Sequence, residues 1–214
     1  MRIFIVRHGE TIGNKEGIYQ GRIDTPLSEL GVYLAEKTGE GLKDIKFDIA
    51  YSSPLNRALD TCKIILSKNN FDTNIVLEDR LQEVNMGIWE GTKFMGEDKV
   101  VPIEDINLFT SNPFKLEYFP QGEHVNDVCL RTQSFLHELV KKDYQNVLIT
   151  THGFALRALL NFMYEDKSDF WQGHVPYNCA VNIIEYQNGN FSFIAKDKIY
   201  YEKDKIIDRY KLEK

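Results

Sequence analysis

The sequence has few cysteines and no long apolar run. Three cysteines stand far apart among 214 residues, at positions 62, 129 and 179. An odd number without a CxxC pair argues against a disulfide framework and predicts reduced thiols that pack as small apolar side chains. No uninterrupted apolar stretch reaches the ~20 residues that a membrane-spanning helix needs. These absences favour a protein of a reducing compartment that does not span a membrane.

A signal peptide and an excess of basic residues are also lacking. Arg7, His8 and Glu10 interrupt the first apolar run too early for a signal peptide, so we expect a cytoplasmic protein. The net charge is −6, with 32 acidic and 26 basic side chains. This balance argues against binding to nucleic acid or to an anionic membrane surface. An anionic substrate therefore needs a locally positive pocket.

The overall composition is typical of a globular protein with its own hydrophobic core. Hydrophobic residues make up 43% and charged residues 27% of the chain. The length suffices for one sizeable domain, and no internal repeat or linker-like stretch divides it. We therefore expect a single domain over residues 1–214. Residues 92–120, rich in Phe, Pro and Asn, are its least regular part and are expected to form an insertion with at most short helices.

Apolar patterns and turn residues predict strands that alternate with helices. The expected strands are residues 2–6, 47–51, 74–77, 146–150, 180–186 and 191–195. The expected helices are residues 28–42, 55–66, 123–142 and 152–164. This alternation is typical of an α/β fold with a mainly parallel sheet. Asn188-Gly189 predicts a hairpin turn, so the last strands would add an antiparallel edge.

Two of the predicted strands end in the same unusual way. Arg7-His8-Gly9 follows the first strand, and Thr151-His152-Gly153 follows the strand at 146–150. Ligands bind beyond the carboxyl ends of parallel strands, where adjacent strands would bring His8 and His152 side by side. Alternatively, each His-Gly pair is only a tight turn that uses glycine for the bend. Because a His-Gly pair follows both strands at the same topological place, we favour one shared site that contains both histidines.

Arginines near the histidines predict an anion site. Arg7 directly precedes His8, and a guanidinium presents a planar fork of donors that suits phosphate oxygens. Arg57 is predicted in the first turn of the helix after Ser53-Pro54, where free N–H groups and the helix dipole attract anions. Taken alone, Arg57 would be an ordinary surface residue.

Taken in order, these residues resemble the histidine phosphatase superfamily, which includes the cofactor-dependent phosphoglycerate mutases. The resemblance covers residues 2 to about 186 and rests on several motifs in the same order. The matching residues are Arg7-His8-Gly9-Glu10-Thr11 with Asn14, Gln20-Gly21 with Asp24 and Leu27, Ser52-Ser53-Pro54 with Arg57-Ala58 and Thr61, Leu81 and Glu83 with Gly87, Trp89, Glu90 and Gly91, Gly122-Glu123, and Thr151-His152-Gly153. The resemblance implies a three-layer α/β/α sandwich with a mainly parallel central sheet and one antiparallel edge strand.

The resemblance also implies roles for individual residues. His8 would be the nucleophile that becomes phosphorylated, and Glu83 the general acid. The residues implied in holding the phosphoryl group or the rest of the substrate are Arg7, Asn14, Gln20, Gly21, Arg57, His124, His152 and Gly153. Neutral imidazole, with an ordinary pKa of about 6.5, is a competent nucleophile near neutral pH. Two guanidiniums would stabilise the phosphoryl oxygens, so neither a metal nor another cofactor is implied.

Some positions leave alternatives open. Glu83 taken alone would be an exposed loop carboxylate. His124, where the family has a serine, is either a substrate contact or a polar residue at the start of a helix. Phe154 stands where the family often has a second glycine, which implies a more apolar pocket wall. The aromatic residues of 94–120 and 170–171 either cap the active site or serve packing alone.

Three functions are compatible with these residues. The leading hypothesis is a phosphomonoesterase that transfers the phosphoryl group of a small-molecule ester to water. The second is a phosphoglycerate mutase, but mutases of this family carry paired arginines in the insertion, whereas residues 92–120 hold only Lys93, Lys99 and Lys115 as cations. The third is a non-catalytic module that binds a phosphorylated ligand, although inactive relatives usually lose the nucleophile or the acid. The identity of the ester and the oligomeric state stay open.

Overall fold

The computed structural model describes residues 1–94, 100–116 and 118–207 and contains one mixed sheet. Its strands are β1 (Arg2–Arg7), β2 (Ile49–Ser52), β3 (Ile75–Leu77), β4 (Asn146–Thr151), β5 (Val181–Gln187) and β6 (Asn190–Lys198). The order across the sheet is β3-β2-β4-β1-β5-β6. The first four strands in that order are parallel, β5 is antiparallel to β1, and β6 is antiparallel to β5. The mainly parallel sheet with an antiparallel edge is therefore confirmed.

Helices connect the strands and flank the sheet. They are α1 (Ile12–Glu16), α2 (Glu29–Leu42), α3 (Asn56–Ser67), α4 (Ile103–Ser111), α5 (Pro113–Leu116), α6 (Val125–Leu139) and α7 (Gly153–Leu160). The four helices predicted from the sequence are present, with ends shifted by a few residues. The five-residue α1 is a helix that the sequence pattern did not predict. Its start is fixed by a capping box between Thr11 and Asn14. Within the described ranges, no helix is both long and apolar enough to cross a membrane.

Strand β1 lies in the middle of the fold and is buried on both faces. Ile3 and Ile5 pack in a cluster with apolar residues of α6 and α7. Phe4 and Val6 pack in another cluster with residues of α2 and α3. Because successive side chains of a strand point to opposite faces, the two clusters lie on opposite sides of the sheet. The result is the expected α/β/α arrangement of three layers.

The loop after β1 is held against the first turn of α2. Ser28 caps α2, because its Oγ accepts from the Gly31 N–H at 3.0 Å, and the same hydroxyl donates to Glu10 Oε2 at 2.6 Å. A Cβ on Gly31 would lie 2.0 Å from the carbonyl oxygen of Glu10, and a Cβ on Gly9 would lie 2.6 Å from the carbonyl oxygen of Gly31. The two backbones can approach this closely only without side chains, so the glycines let α2 position the loop that begins at His8.

The packed C-terminal region extends beyond residue 195, where the sequence pattern predicted that the last strand ends. The last strand was expected to end at residue 195, but β6 continues to Lys198. Beyond it, Tyr201 is buried, and its hydroxyl donates to the Asn178 carbonyl at 2.7 Å. The chain is therefore anchored against the loop before β5 at least as far as Tyr201. Residues 208–214 lie outside the described ranges.

The contact between α2 and the loop after β1 predicts a strong effect of Gly31→Ala. Overpacking against the Glu10 carbonyl should lower the free energy of unfolding by ~1–3 kcal/mol in urea denaturation. Val32→Ala is the control, because Val32 lies on the exposed side of the first turn of α2 and its truncation brings in no new atom. Surface substitutions usually change the free energy of unfolding by less than about 0.5 kcal/mol, so the stability of this variant should be little changed. Equal losses in both variants would contradict the close approach.

Candidate active site

The carboxyl ends of β1 and β4 bring the two histidines together. The strands pair in register with Arg7 opposite Thr151, and the His8 N–H donates to the Thr151 carbonyl at 2.9 Å. The ring centroids of His8 and His152 are 5.3 Å apart. Both rings are buried. The two His-Gly strand ends therefore belong to one site.

A cavity opens above this point, with roughly 490 Å³ of empty space when the solvent at its mouth is included. It is lined by Arg7, His8, Asn14, Tyr19, Gln20, Gly21, Arg57, Glu83, Met86, Phe109, Gly153, Phe154, Trp171 and Val175. Eight of the ten residues that the family resemblance implies are among them. The two that do not line the cavity are His124 and His152.

Hydrogen bonds determine which ring nitrogen of each histidine carries a proton. His8 Nδ1 lies 2.7 Å from the Gly9 carbonyl oxygen, which can only accept, so Nδ1 is the protonated nitrogen. His152 Nδ1 accepts from Arg57 Nε at 3.2 Å, and its Nε2 donates to Ser53 Oγ at 2.8 Å. The two rings are thus opposite tautomers. His8, which lines the cavity, is left with an unprotonated Nε2.

Both imidazoles are held in the neutral form. Burial, followed by the charges of Arg57 and Arg7, holds the pKa of His8 well below its usual value of 6.5. Burial and the charge of Arg57 also lower the pKa of His152, with a smaller contribution from His8. Since only neutral imidazole has a free lone pair, His8 Nε2 is available as a nucleophile at neutral pH.

The guanidinium of Arg57 connects the loop after α1 to the second histidine. Nη1 donates to the Ile23 carbonyl at 2.8 Å and to Asp24 Oδ1 at 3.1 Å, and Nη2 donates to the Gly21 carbonyl at 2.6 Å. Nε donates to His152, as described above. These bonds use four of the five N–H donors and leave one on Nη2 for an anion in the cavity. Arg57 therefore organises the base of the cavity and contributes its positive charge there.

A carboxylate of the protein occupies the helix terminus where the sequence predicted that a substrate anion would gather. Leu55 precedes α3 and provides no side-chain cap. The Asp24 carboxylate caps the helix instead, because it accepts hydrogen bonds from the backbone N–H groups of Asn56 and Arg57. The free N–H groups expected at this terminus are thus already bonded within the protein. At this helix terminus, a substrate anion would therefore be bound by the Arg57 side chain and not by free backbone N–H groups.

Glu83 is held at the N-terminus of α7 in the same way. Its Oε2 accepts from the Phe154 N–H at 3.1 Å, and its Oε1 accepts from the N–H groups of Ala155 at 3.0 Å and Val84 at 2.9 Å. These bonds fix the carboxyl group at the cavity wall. Glu83 is therefore not the freely exposed loop carboxylate that the sequence left as an alternative.

Arg131 holds the backbone that carries Glu83, a role that sequence reasoning missed. Its guanidinium donates to the carbonyls of Arg80, Gln82 and Glu83 at 2.7–3.1 Å. It also pairs with both carboxylate oxygens of Glu123, at 2.8 and 3.1 Å. The Gly122-Glu123 motif was the available signal, because a partly buried carboxylate such as Glu123 favours a cationic partner.

Two side-chain amides add donors to the cavity. Asn14 Oδ1 accepts from the Thr11 N–H at 3.1 Å. Gln20 Oε1 accepts from the hydroxyls of Thr11 at 3.0 Å and Thr25 at 2.7 Å. With the oxygens engaged, the NH₂ groups are the ends left for the cavity that both side chains line. The base of the cavity is therefore rich in hydrogen-bond donors.

Aromatic residues form the upper wall of the cavity and also pack on one another. The Phe109 ring of α4 lies 6.1 Å from the stacked ring of Phe154 and 5.4 Å from Trp171. The indole N–H of Trp171 donates to the Phe109 carbonyl at 2.7 Å, which ties the insertion to the loop before β5. Capping and packing, which the sequence left as alternatives, are thus performed by the same rings.

His124 is not among the described residues that line the cavity, so the cavity gives no support to its expected role as a substrate contact. It is the exposed residue that precedes α6, and its ring packs on Tyr118 with centroids 5.3 Å apart. This is the other alternative, a polar residue at the start of a helix. An isolated antiparallel backbone bridge holds Tyr118 and His124 side by side.

Comparison with known proteins agrees with this geometry. The model of the histidine phosphatase superfamily (branch 1) matches residues 3–197. Phosphoserine phosphatase 1 of Hydrogenobacter thermophilus is 33% identical over 173 residues, 80% of either chain. A 2,3-bisphosphoglycerate-dependent phosphoglycerate mutase of Cytophaga hutchinsonii is 32% identical over 74% of this chain and 75% of its own. The solved structure of Bacillus stearothermophilus YhfR superposes with a TM-score of 0.84 at 29% identity, covering 92% of this chain and 97% of that one.

The hydrogen bonds of the two histidines predict distinct NMR signatures. Long-range ¹H–¹⁵N spectra should show a proton on Nδ1 of His8 and on Nε2 of His152. Because both pKa values are lowered, neither ring should titrate near the ordinary value of about 6.5, where free histidine in the same buffer does. Protonation of His8 at that pH, or a proton on its Nε2 in the neutral ring, would contradict the assignment.

Proposed function

Because the chain belongs to the histidine phosphatase superfamily (branch 1), we propose that it is a phosphomonoesterase that hydrolyses a small phosphorylated metabolite through a phosphohistidine on His8. One observation carries the proposal: His8 donates from Nδ1 to the Gly9 carbonyl, which leaves Nε2 as the nucleophilic nitrogen. Arg7 and Arg57 also line the cavity, and both charges act on His8, beside which the phosphoryl oxygens would lie. The named activity of the Hydrogenobacter thermophilus relative supports a phosphatase.

In the first step, the lone pair of His8 Nε2 forms a bond to phosphorus. The ester P–O bond breaks, and its electron pair goes to the leaving oxygen, which takes the proton that Glu83 delivers as the general acid. The guanidiniums and the amides of Asn14 and Gln20 stabilise the charge on the phosphoryl oxygens. The phosphorylated ring is cationic, and the Gly9 carbonyl stabilises it through the Nδ1–H bond.

In the second step, water attacks the phosphorus and the P–N bond breaks. The electron pair returns to His8 Nε2, and a proton of the water passes to the Glu83 carboxylate. Inorganic phosphate leaves, and both groups are restored. Glu83 thus acts first as an acid and then as a base. No step needs a metal, and the described residues contain no His, Cys, Asp or Glu cluster that could hold one.

His152 supports this chemistry through Arg57. Its ring is fully buried, is absent from the cavity lining, and accepts from Arg57 Nε. Ser53 accepts from the opposite nitrogen, which fixes the ring orientation. In the resting arrangement, His152 is therefore a positioning residue that orients the guanidinium, rather than a direct phosphoryl ligand.

A phosphoglycerate mutase is the second candidate, and similarity to the Cytophaga hutchinsonii protein supports it. A mutase must bind a carboxylate besides the phosphoryl group, and that carboxylate needs a cation of its own. Among the described residues that line the cavity, Arg7 and Arg57 are the cationic side chains, and both lie at the phosphoryl end. Lys99 of the insertion lies outside the described residues. The cavity therefore favours hydrolysis over the mutase reaction, and the intact nucleophile disfavours a non-catalytic module.

Rapid quench with a reactive substrate should trap phosphate on His8, as an adduct that is labile to acid and stable to base. His8→Ala should remove the adduct and reduce turnover by several orders of magnitude, because nothing else supplies the nucleophile. His137→Ala, a change on the far end of α6, is the control and should retain both. Phosphate on another residue, or near-normal turnover of His8→Ala, would refute the mechanism.

Glu83→Gln should slow poor leaving groups more than good ones. For an alkyl phosphate, kcat/KM should fall by roughly 10²- to 10⁴-fold, the usual contribution of general acid catalysis. For a nitrophenyl phosphate, whose phenolate leaves unaided, the loss should be much smaller. Comparing both substrates in one variant controls for structural damage, which is needed because the amide cannot accept all three N–H bonds at α7. Equal losses for both substrates would leave Glu83 with a structural role alone.

A further inference from the structure

The phosphoryl end and the outer end of the cavity have different chemistry. Charged side chains lie at the phosphoryl end, namely Arg7, Arg57 and Glu83. The other lining residues are uncharged: His8, Asn14, Gln20, Gly21 and Gly153, and six apolar or aromatic side chains, Tyr19, Met86, Phe109, Phe154, Trp171 and Val175. The part of the substrate that projects away from the phosphoryl group therefore meets a wall without a charged side chain among the described residues.

The polar groups that line the cavity are either bonded within the protein or assigned to the phosphoryl group. The Glu83 carboxyl accepts three backbone N–H groups. The side-chain oxygens of Asn14 and Gln20 accept from Thr11 and Thr25. An ammonium group on the substrate would have to compete with these donors. A second carboxylate or phosphate would have to share the arginines and the amide NH₂ groups that are assigned to the phosphoryl group.

The aromatic wall is closed by ring-to-ring packing and does not form an open cage for a cation. Phe109 stacks on Phe154, with 7° between the ring planes, and meets the edges of Trp171 and Tyr19. Phe154 also packs on Phe170, with centroids 4.3 Å apart. Cation binding by aromatic residues requires ring faces that are open to the ligand. Here these rings cover one another, so the wall provides apolar surface instead.

Resting on the proposed function, we propose that the leaving alcohol is uncharged and apolar or aromatic. The substrates would be monophosphate esters of such alcohols, and not phosphorylated amino acids, phosphorylated carboxylic acids or bisphosphates. A charged leaving group would be buried here without a partner, which is costly, whereas an apolar group gains by leaving water. This selectivity is opposite to that suggested by the name of the phosphoserine phosphatase relative.

Three alkyl phosphates test this inference: benzyl phosphate, O-phosphoserine and phosphocholine. The ammonium groups of serine and choline make their alkoxides better leaving groups than benzyl alkoxide, so intrinsic reactivity opposes the expected order. We expect kcat/KM of benzyl phosphate to exceed that of both charged esters by roughly 100-fold or more, the scale of discrimination that pocket contacts provide. A preference for phosphoserine would overturn the inference, and a preference for phosphocholine would show a cation site instead.

A matched pair of variants at Met86 provides a second readout. Met86 is buried at the wall, and Met86→Gln keeps its length while adding a polar amide. We expect the ratio of kcat/KM for benzyl phosphate over phosphoserine to fall about tenfold in Met86→Gln and to stay within about twofold in Met86→Leu. An unchanged ratio in folded Met86→Gln would count against recognition by this wall.

Phosphorylation of His8 separates failure of this inference from failure of the proposed function. If phosphoserine is preferred while His8 still becomes phosphorylated, the phosphatase mechanism stands and the substrate class is wrong. If no ester is hydrolysed and no phosphate reaches His8, both proposals are overturned together.

Discussion

The site depends on one buried guanidinium. Arg57 is 1% exposed, and its bonds tie the loop at residues 21–24 to His152. Asp24 compensates the charge, with its carboxylate 3.1 Å from Nη1. A buried arginine without such partners would be strongly destabilising. Because the buried guanidinium needs these partners, folding of the chain itself places the phosphoryl-binding charge of Arg57 at this position.

The same charge explains the state of the nucleophile. Burial and the two arginines keep His8 neutral, and the Gly9 carbonyl keeps its proton on Nδ1. Two helix N-termini near the cavity are occupied by protein carboxylates, Asp24 at α3 and Glu83 at α7. The donors left for a ligand come instead from guanidiniums and from amides whose oxygens are engaged. The chain thus binds its own anions at helix ends and keeps side-chain donors for the phosphoryl group.

The sequence was sufficient for the parts of this site that follow from local pattern and topology. Parallel strands that both end in His-Gly placed His8 beside His152, and alternating strands and helices placed them at the carboxyl edge of the sheet. Contacts between distant segments could not be predicted. The N–H groups that donate to Glu83 lie up to 72 residues away along the chain, and the carbonyls that accept from Arg131 lie 48 to 51 residues away. Such bonds depend on the packed structure and leave no periodic signal in the chain.

The central claim is that the cavity holds a phosphoryl group against Nε2 of His8. A crystal structure with vanadate tests it most directly, because vanadate mimics the five-coordinate phosphorus of the transfer step. The account predicts vanadium bonded to His8 Nε2, with its oxygens on Arg7 and Arg57 and its open apex facing the aromatic wall. Vanadate bound through His152, or bound elsewhere with this cavity empty, would contradict the account.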